Sequence, residues 1–177
     1  MKRALLVVPV IASVFLLWPQ DRDGLREGVW EGTTTQGRWV RVVVAEGDGG
    51  PRIVKWGVAV MLACERTGRM VIGTVVAEAA IPIRERRFAE SVAGLTLFHE
   101  WSGTFTADDT GHGTVSMVLA AITGTTLEHI GAETCIAPRL GFTLHPKDAA
   151  ASPPSEGPDF ELRIDAQGAS HLTWLEP

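Results

Sequence analysis

Apolar and polar side chains alternate with a period of two residues through most of this chain, from Leu25 to His145. The longest example is the run 52–64, in which every second residue from Val54 to Cys64 is apolar. Successive side chains of a β-strand point to opposite faces of its sheet, so this period predicts strands. No long segment has the 3.6-residue period of a helix. The sequence therefore predicts an all-β domain.

The predicted strands are short and are separated by turns rich in glycine and threonine. They cover residues 29–34, 39–44, 52–64, 70–76, 81–84, 95–98, 101–107, 113–122 and 140–144. The turn formers at 46–51 predict a loop. Both faces of 52–64 are apolar, which predicts a central strand with a bend or close approach at Gly57. Pro82 restricts its own strand to a sheet edge or to first positions. We predict an antiparallel β-sandwich of the jelly-roll or immunoglobulin-like type, with a closed β-barrel as the alternative.

The two ends of the chain differ from the predicted domain at 25–146. Residues 1–20 begin with Lys2 and Arg3, and 15 uncharged residues follow. That run is shorter than the roughly 17–25 residues of a membrane-spanning helix, so it predicts a signal peptide, with a short uncleaved anchor as the alternative. Residues 147–159 read as a linker rich in Pro, Ala and Ser. Residues 160–177 predict a β-hairpin that docks on the main sheet.

The charge composition argues against a nucleic-acid binder. The chain has 16 Lys+Arg and 21 Asp+Glu, for a net charge of −5, whereas binding to nucleic acid requires a basic surface. An acidic exported domain is also repelled by anionic lipid and by phosphate. We therefore expect no nucleic-acid partner and no membrane contact beyond an N-terminal anchor. Arginine greatly outnumbers lysine, and this excess by itself predicts no function.

Cys64 and Cys135 are the two cysteines of the chain. Each adjoins an apolar run that is predicted to be a strand. Two cysteines in an exported protein are most simply explained by one disulfide, and two buried free thiols are the alternative. A bridge between them closes a loop of about 70 residues, which contributes roughly 4 kcal/mol in the chain-entropy model. Neither cysteine has the spacing of a zinc site. We therefore predict an extracytoplasmic protein that is secreted, periplasmic or attached to the cell surface.

The opening of the domain resembles a diffuse group of bacterial exported domains of unknown function. Residues 28–37 read GVWEGTTTQG, and a valine-rich strand, Cys64 and then Cys135 follow. The resemblance lies in the pattern G-x-W-x-G-x-T-x-Q-G and extends over about residues 28–144. It implies an all-β sandwich in which a cysteine of a central strand faces another near the end. The chain differs from the group in its extension after Pro146, and the resemblance implies no activity.

The catalytic and metal-binding motifs that the sequence suggests are incomplete. His99 begins a segment like H-E-x-x-H, but Gly103 stands where the second histidine is needed. No G-x-S-x-G elbow exists. Asp108, Asp109 and His112 share one turn, yet Ca²⁺ needs 6–8 oxygen ligands, and aspartates in turns more often bond their own backbone. The sequence predicts no metal and no cofactor.

Trp39 and Arg41 are the candidate binding residues. They share the face of strand 39–44 that lies opposite its alternate valines. An exposed tryptophan beside a guanidinium can stack on a sugar ring or on a partner side chain. The alternative is that the second sheet or the C-terminal hairpin covers both residues. We therefore predict a non-catalytic binding or structural module at the bacterial envelope, with a carbohydrate or protein ligand. An extracytoplasmic hydrolase with an unidentified carboxylate or histidine site is the alternative.

Overall fold

The computed structural model describes residues 24–93, 97–107, 109–123, 131–147, 160–165 and 170–174. The ten strands are β1 (Gly28–Thr34), β2 (Trp39–Gly47), β3 (Gly50–Cys64), β4 (Met70–Pro82), β5 (Arg87–Ala93), β6 (Leu97–Phe105), β7 (Gly111–Thr123), β8 (Gly131–Lys147), β9 (Phe160–Ile164) and β10 (Ser170–Trp174). The predicted signal peptide, and the predicted linker after its first residue, lie outside the described residues. Within the described ranges, no helix has the length and apolarity needed to cross a membrane.

All ten strands belong to one sheet, in the order β10-β9-β4-β3-β2-β1-β8-β7-β6-β5. Strands β1 to β4 form one antiparallel meander, β5 to β8 form a second, and the pairing of β1 with β8 joins the two. The all-β antiparallel prediction is confirmed. Its connections are those of meanders, in place of the Greek-key crossovers of jelly rolls and immunoglobulin-like domains. In the described part of the chain β4 does not pair with β5, so the sheet stays open there.

The sheet folds over so that its two meanders face each other across an aromatic core. Trp56 of β3 stacks on Trp101 of β6, with ring centroids 5.2 Å apart. Trp30 of β1 meets Phe105 of β6 edge to face at 4.8 Å. All four side chains are at most 1% exposed. The arrangement is a sandwich in which the β1–β4 meander is the first layer and the β5–β8 meander is the second. Aromatic rings fill the space between the two layers.

Strand β3 contains a β-bulge, and because of it the prediction of one core residue is wrong. Its register shifts between Ile53 and Lys55 against both neighbouring strands. A bulge adds one residue to a strand and so changes the alternation of its side chains. As a result Ile53 is fully buried, whereas Val54, which the strict alternation placed beside Trp56, is only half-buried. The predicted alternation holds from Trp56 onward.

One predicted loop and two pairs of predicted strands differ from the structure, β5 (Arg87–Ala93) was not predicted, and β8 is longer than the predicted 140–144. The predicted loop at 46–51 is a turn of two residues, Asp48 and Gly49, between β2 and β3. The predicted strands at 70–76 and 81–84 are one strand, β4, which ends at Pro82. The predicted strands at 95–98 and 101–107 likewise merge into β6. In each case residues outside the predicted strands are held in the sheet by pairing with a neighbouring strand.

The disulfide links the two meanders at one end of the sandwich. Cys64 of β3 is the direct register partner of Cys135 of β8, and the two are joined by a disulfide. Their side chains are 4% and 1% exposed. Strands β1 and β2 are shorter than β3 and β8, so the two long strands meet beyond their ends. The predicted pairing is confirmed.

The C-terminal segment forms a hairpin that extends the first layer. Strands β9 and β10 pair antiparallel, and β9 pairs with β4 in parallel. Leu162 of β9 is the register partner of Val75 of β4, and both side chains are fully buried. The hairpin therefore stands beside β4 as a continuation of the sheet and forms one wall of the cleft described below.

Candidate functional site

The tryptophan and the central glycine of the opening motif are used to pack the domain. Trp30 is fully buried, and its indole Nε1 donates a hydrogen bond to the carbonyl oxygen of Arg26 at 2.9 Å. Gly32 lies against β8, where a Cβ atom would collide with the carbonyl oxygen of Thr143. These two positions hold β1 against the core and against its neighbour. Neither is available to a ligand.

The threonine, glutamine and final glycine of the motif build the turn between β1 and β2. Gly37 has φ +73° and donates its N–H to the carbonyl oxygen of Thr34 at 2.8 Å. The amide of Gln36 then joins β3: its Nε2 donates to the carbonyl oxygen of Met61 at 3.0 Å, and its Oε1 accepts from the N–H of Met61 at 2.9 Å. The glutamine side chain thus makes the pair of bonds that a strand residue would make. The motif that carries the family resemblance has a structural role.

Trp39 and Arg41 both line a cleft of about 840 Å³ on the outer face of the first layer. The outer faces of β2, β3 and β4 form its floor, and the β9–β10 hairpin contributes one wall. The structure thus brings the two predicted residues into one concavity. The other charged or titratable side chains of this cleft are Lys55, Glu78, Glu161, Arg163, Asp165 and His171.

The ring of Trp39 is held against the backbone of β3. A Cβ atom at Gly57 would lie 3.1 Å from Cη2 and Cζ3 of this ring, so the absence of a side chain at Gly57 makes room for the indole. This contact is the close approach predicted at Gly57. Trp39 is of intermediate exposure, neither fully open nor covered by the hairpin. The ring is therefore oriented in advance and partly accessible from the cleft.

Arg41 is held by an ion pair with the strand beside it. Its Nη2 pairs with Oε1 of Glu31, the cross-strand partner of Arg41, and Oε2 of Glu31 pairs with Nζ of Lys147. The side chains of Arg41 and Glu31 are 29% and 21% exposed, so the pair is partly screened by solvent. The ion pair with Glu31 holds the guanidinium group of Arg41 in place at the cleft. Since this carboxylate also pairs with Lys147, the three side chains form one charged cluster and Arg41 does not present an isolated charge.

The charges that line the cleft are balanced. Three cations (Arg41, Lys55, Arg163) and three carboxylates (Glu78, Glu161, Asp165) line it. Lys55 and Glu78 are direct cross-strand partners, and Arg163 pairs with Glu161. Such a surface offers many hydrogen-bonding groups but little net field. It therefore favours a polar ligand that has no strong charge of its own.

His99 is a buried polar residue that the sequence analysis did not place in the core. It is 1% exposed, its Nε2 lies 3.2 Å from Oε2 of Glu90, and its ring meets that of Trp56 at 4.9 Å. The alternation of β6 contains the signal, because His99 stands between the inward-facing Leu97 and Trp101. Within the described residues, His99 Nδ1 and the indole nitrogens of Trp56 and Trp101 have no hydrogen-bond partner. His99 is thus a core residue and lies outside the cleft.

No group of three or more histidine, cysteine, aspartate or glutamate side chains that could hold a metal ion is found among the residues that the structure describes. Of the turn considered for Ca²⁺, Asp108 lies outside these residues. Asp109 has φ +58°, and both it and His112 are exposed. This left-handed backbone is one that aspartate tolerates in tight turns.

Comparison of the chain with protein-family models, with curated proteins and with solved structures finds no match. The resemblance to exported bacterial domains therefore stays a prediction from the opening motif. Function has to be argued from the geometry of the described residues.

Proposed function

We propose that this protein is an exported, disulfide-linked β-sandwich that binds a neutral carbohydrate in the cleft lined by Trp39 and Arg41. One observation carries the proposal: a partly exposed tryptophan ring lies in a concave surface whose charges are balanced. Sugar rings have apolar C–H faces that pack on an indole, and hydroxyls that bond to charged and polar side chains. The cleft supplies both kinds of contact.

The size and shape of the cleft favour a small ligand over a protein partner. Its volume of about 840 Å³ lies within the roughly 300–1,000 Å³ of sites for small molecules. A stable protein interface buries about 800 Å² of surface on each partner. An oligosaccharide segment that lays one ring on Trp39 suits this surface better.

The disulfide supports an extracytoplasmic location. Disulfides form and persist in oxidising compartments and are rare in the cytosol. Cys64 and Cys135 are both buried, as expected of a structural bridge in contrast to a redox-active thiol pair. The basic and then apolar start of the sequence points to the same location. We propose that the module works at the bacterial envelope or beyond it.

A hydrolase is the second candidate, since Glu78, Asp165 and His171 line the same cleft as Trp39. Glycoside hydrolysis requires two carboxyl groups on either side of the scissile bond. If Glu78→Gln abolished the release of reducing sugar from a bound glycan while binding persisted, the protein would be an enzyme. Binding without any turnover by the unmodified protein would favour the module.

A glycan array tests the carbohydrate proposal. We expect the unmodified protein to bind a set of neutral glycans, Trp39→Ala to lose at least about tenfold in affinity, and Trp39→Phe to lose less. The matched control is Phe98→Ala, which removes a partly buried ring from β6 and should bind like the unmodified protein. Equal signals from the unmodified protein and Trp39→Ala, or no signal from either, would contradict the proposal.

A further inference from the structure

Three arginines lie together on the outer face of the second layer, away from the Trp39 cleft. Arg84 precedes β5, Arg87 begins β5, and Arg139 lies on β8. All three are exposed, and together with His112 of β7 they line a hollow of about 860 Å³. No residue lines both this hollow and the cleft. We call this hollow the arginine site.

The sheet register places the polar side chains of the arginine site in adjacent rows. Arg87 is the partner of Thr104 across β5 and β6, and Thr104 is the partner of His112 across β6 and β7. Neighbouring strands are about 4.8 Å apart, so these three side chains form a row. In the adjoining row, Nε of Arg139 donates to Oγ1 of Thr114 at 3.2 Å. Guanidinium groups and hydroxyls therefore converge from four strands.

Among the residues that the structure describes, no carboxylate lines the arginine site, in contrast with the cleft. Glu85 lies at the tip of the neighbouring turn but does not line the hollow, and Glu90 and Glu100 line an adjoining hollow with Arg139. Within the described part of the chain, Arg84 and Arg87 have no ion-pair partner. The result is a local excess of positive charge on a protein whose net charge is −5.

The turn that presents Arg84 and Arg87 is tightly held. The two residues exchange backbone hydrogen bonds of 2.9 and 2.8 Å. Between them, Glu85 and Arg86 have φ +48° and +61°, a conformation that is unfavourable for residues with a Cβ atom. Nη1 of Arg86 donates to the carbonyl oxygen of Thr106 at 2.8 Å and ties the turn to the segment that follows β6. Left-handed conformations at both central positions are those of a two-residue hairpin turn, so the turn fixes where Arg84 and Arg87 lie.

We propose that the arginine site binds the phosphate or sulfate group of a soluble monoester. The planar fork of a guanidinium matches the oxygens of such a group, and charge-assisted hydrogen bonds to it are the strong ones. Hydroxyls of Thr104 and Thr114 add neutral donors. Three arginines can balance both the single charge of a sulfate monoester and the nearly two negative charges of a phosphate monoester.

The charge distribution selects a small soluble ligand over a membrane. At physiological ionic strength charges are screened beyond about 8 Å, so a small anion responds to the local arginines, whereas the acidic remainder of the protein repels an extended anionic surface. The large apolar side chains that are exposed in the described residues are Met70 and Val92, and neither lines the hollow. The repulsion of phosphate predicted above follows from the net charge of the whole protein, whereas the local charge at this site is positive.

Titration calorimetry and NMR with the full chain test the proposal. The probes are inorganic phosphate, glucose 6-phosphate and glucose 6-sulfate, with glucose as the uncharged control. We expect saturable binding of the charged probes, and a loss of at least about tenfold in affinity in Arg87→Gln and in Arg139→Gln. The matched control is Arg66→Gln, an exposed arginine in the turn between β3 and β4, which should stay within about twofold of the unmodified protein. Trp39→Ala should also keep this binding, so the test is independent of the carbohydrate proposal.

Three results would overturn the assignment. In Trp39→Ala, which lacks the proposed sugar contact of the cleft, glucose could bind as tightly as its esters. In the unmodified background, Arg66→Gln could weaken binding of the esters as much as Arg87→Gln does. Alternatively, vesicles of phosphatidylglycerol could bind the protein while the soluble esters do not, which would move the site to a lipid surface. Circular dichroism of each variant confirms that a loss of affinity does not come from unfolding.

Discussion

Single residues of the opening motif are explained by contacts with the backbone of other strands. Gly32 lies where a Cβ atom would collide with the carbonyl oxygen of Thr143, and Gly37 has a left-handed conformation in a turn where nothing lies within 4 Å of its missing Cβ. Gln36 hydrogen-bonds both backbone groups of Met61, 25 positions further along the chain. A motif of this kind is a requirement of strand packing, which is why its presence implies a fold and not a ligand.

Replacing Gln36 tests this structural role. We expect Gln36→Ala to lower the free energy of unfolding by about 1–3 kcal/mol, because it leaves the N–H and carbonyl of Met61 without their partner. Gln36→Glu should cost at least as much, since a carboxylate cannot donate to the carbonyl oxygen of Met61. Urea unfolding measures both. Thr33→Ala, at an exposed position of β1, is the control and should change the free energy of unfolding by less than about 0.5 kcal/mol. If Gln36→Ala left the free energy of unfolding unchanged, water would replace the amide as the partner of Met61.

At the scale of elements, the strands that define the fold come from distant parts of the chain. β1 lies between β2 and β8, and the far ends of β3 and β8 meet at the disulfide. The bridge spans 71 positions of sequence. It therefore connects the two meanders beyond the ends of β1 and β2, where β3 and β8 are direct neighbours.

Loss of the bridge should destabilise the domain strongly. With a closed loop of this length, the chain-entropy model gives a decrease of about 4 kcal/mol in the free energy of unfolding on reduction. Cys64→Ala combined with Cys135→Ala should give a similar decrease, with a small additional loss of packing. Urea titrations with and without reductant compare the two. A decrease of less than about 1 kcal/mol on reduction would mean that the β1–β8 pairing alone holds the meanders together.

At the scale of the whole molecule, stability depends on rings that connect the layers. Trp101 lies at their centre: its ring centroid is 5.2 Å from Trp56, 5.2 Å from Phe88 and 5.1 Å from Phe142. Phe88 belongs to β5, whose sequence shows little alternation, so this ring also helps to attach a polar edge strand to the core. The two candidate sites lie on the outer faces, and the aromatic core lies between them.

Two substitutions of Trp101 separate ring volume from hydrogen bonding. Trp101→Ala should lower the free energy of unfolding by about 3–5 kcal/mol, because it leaves a large cavity between the layers. Trp101→Phe should cost less than half as much, since it keeps a ring and removes an indole N–H that has no partner among the described residues. Chemical denaturation gives both values. Equal losses in the two variants would indicate that the indole nitrogen has a partner after all, such as a buried water.

The alternation of side chains was sufficient to predict the all-β class and the strands around Trp39, Trp56 and Trp101. The pairing of Cys64 with Cys135 was predicted from the presence of two cysteines in a chain expected to be exported. The alternation also placed Trp39 and Arg41 on one outward face. It did not predict β5, because exposed polar residues such as Arg87 and Ser91 are also typical of loops. It also did not predict the bulge in β3, which places Ile53 in the core and leaves Val54 half-buried.

The difference has a physical cause. The direction of a side chain along an extended strand depends on its immediate neighbours, so the sequence by itself determined which residues could share a face and which were apolar enough to be buried. Strand order and register depend on contacts between distant segments, whose energies a local pattern does not contain. The tertiary structure alone therefore decided that the hairpin would form a wall of the Trp39 cleft, that His99 would enter the core, and that Arg84, Arg87 and Arg139 would meet on one surface.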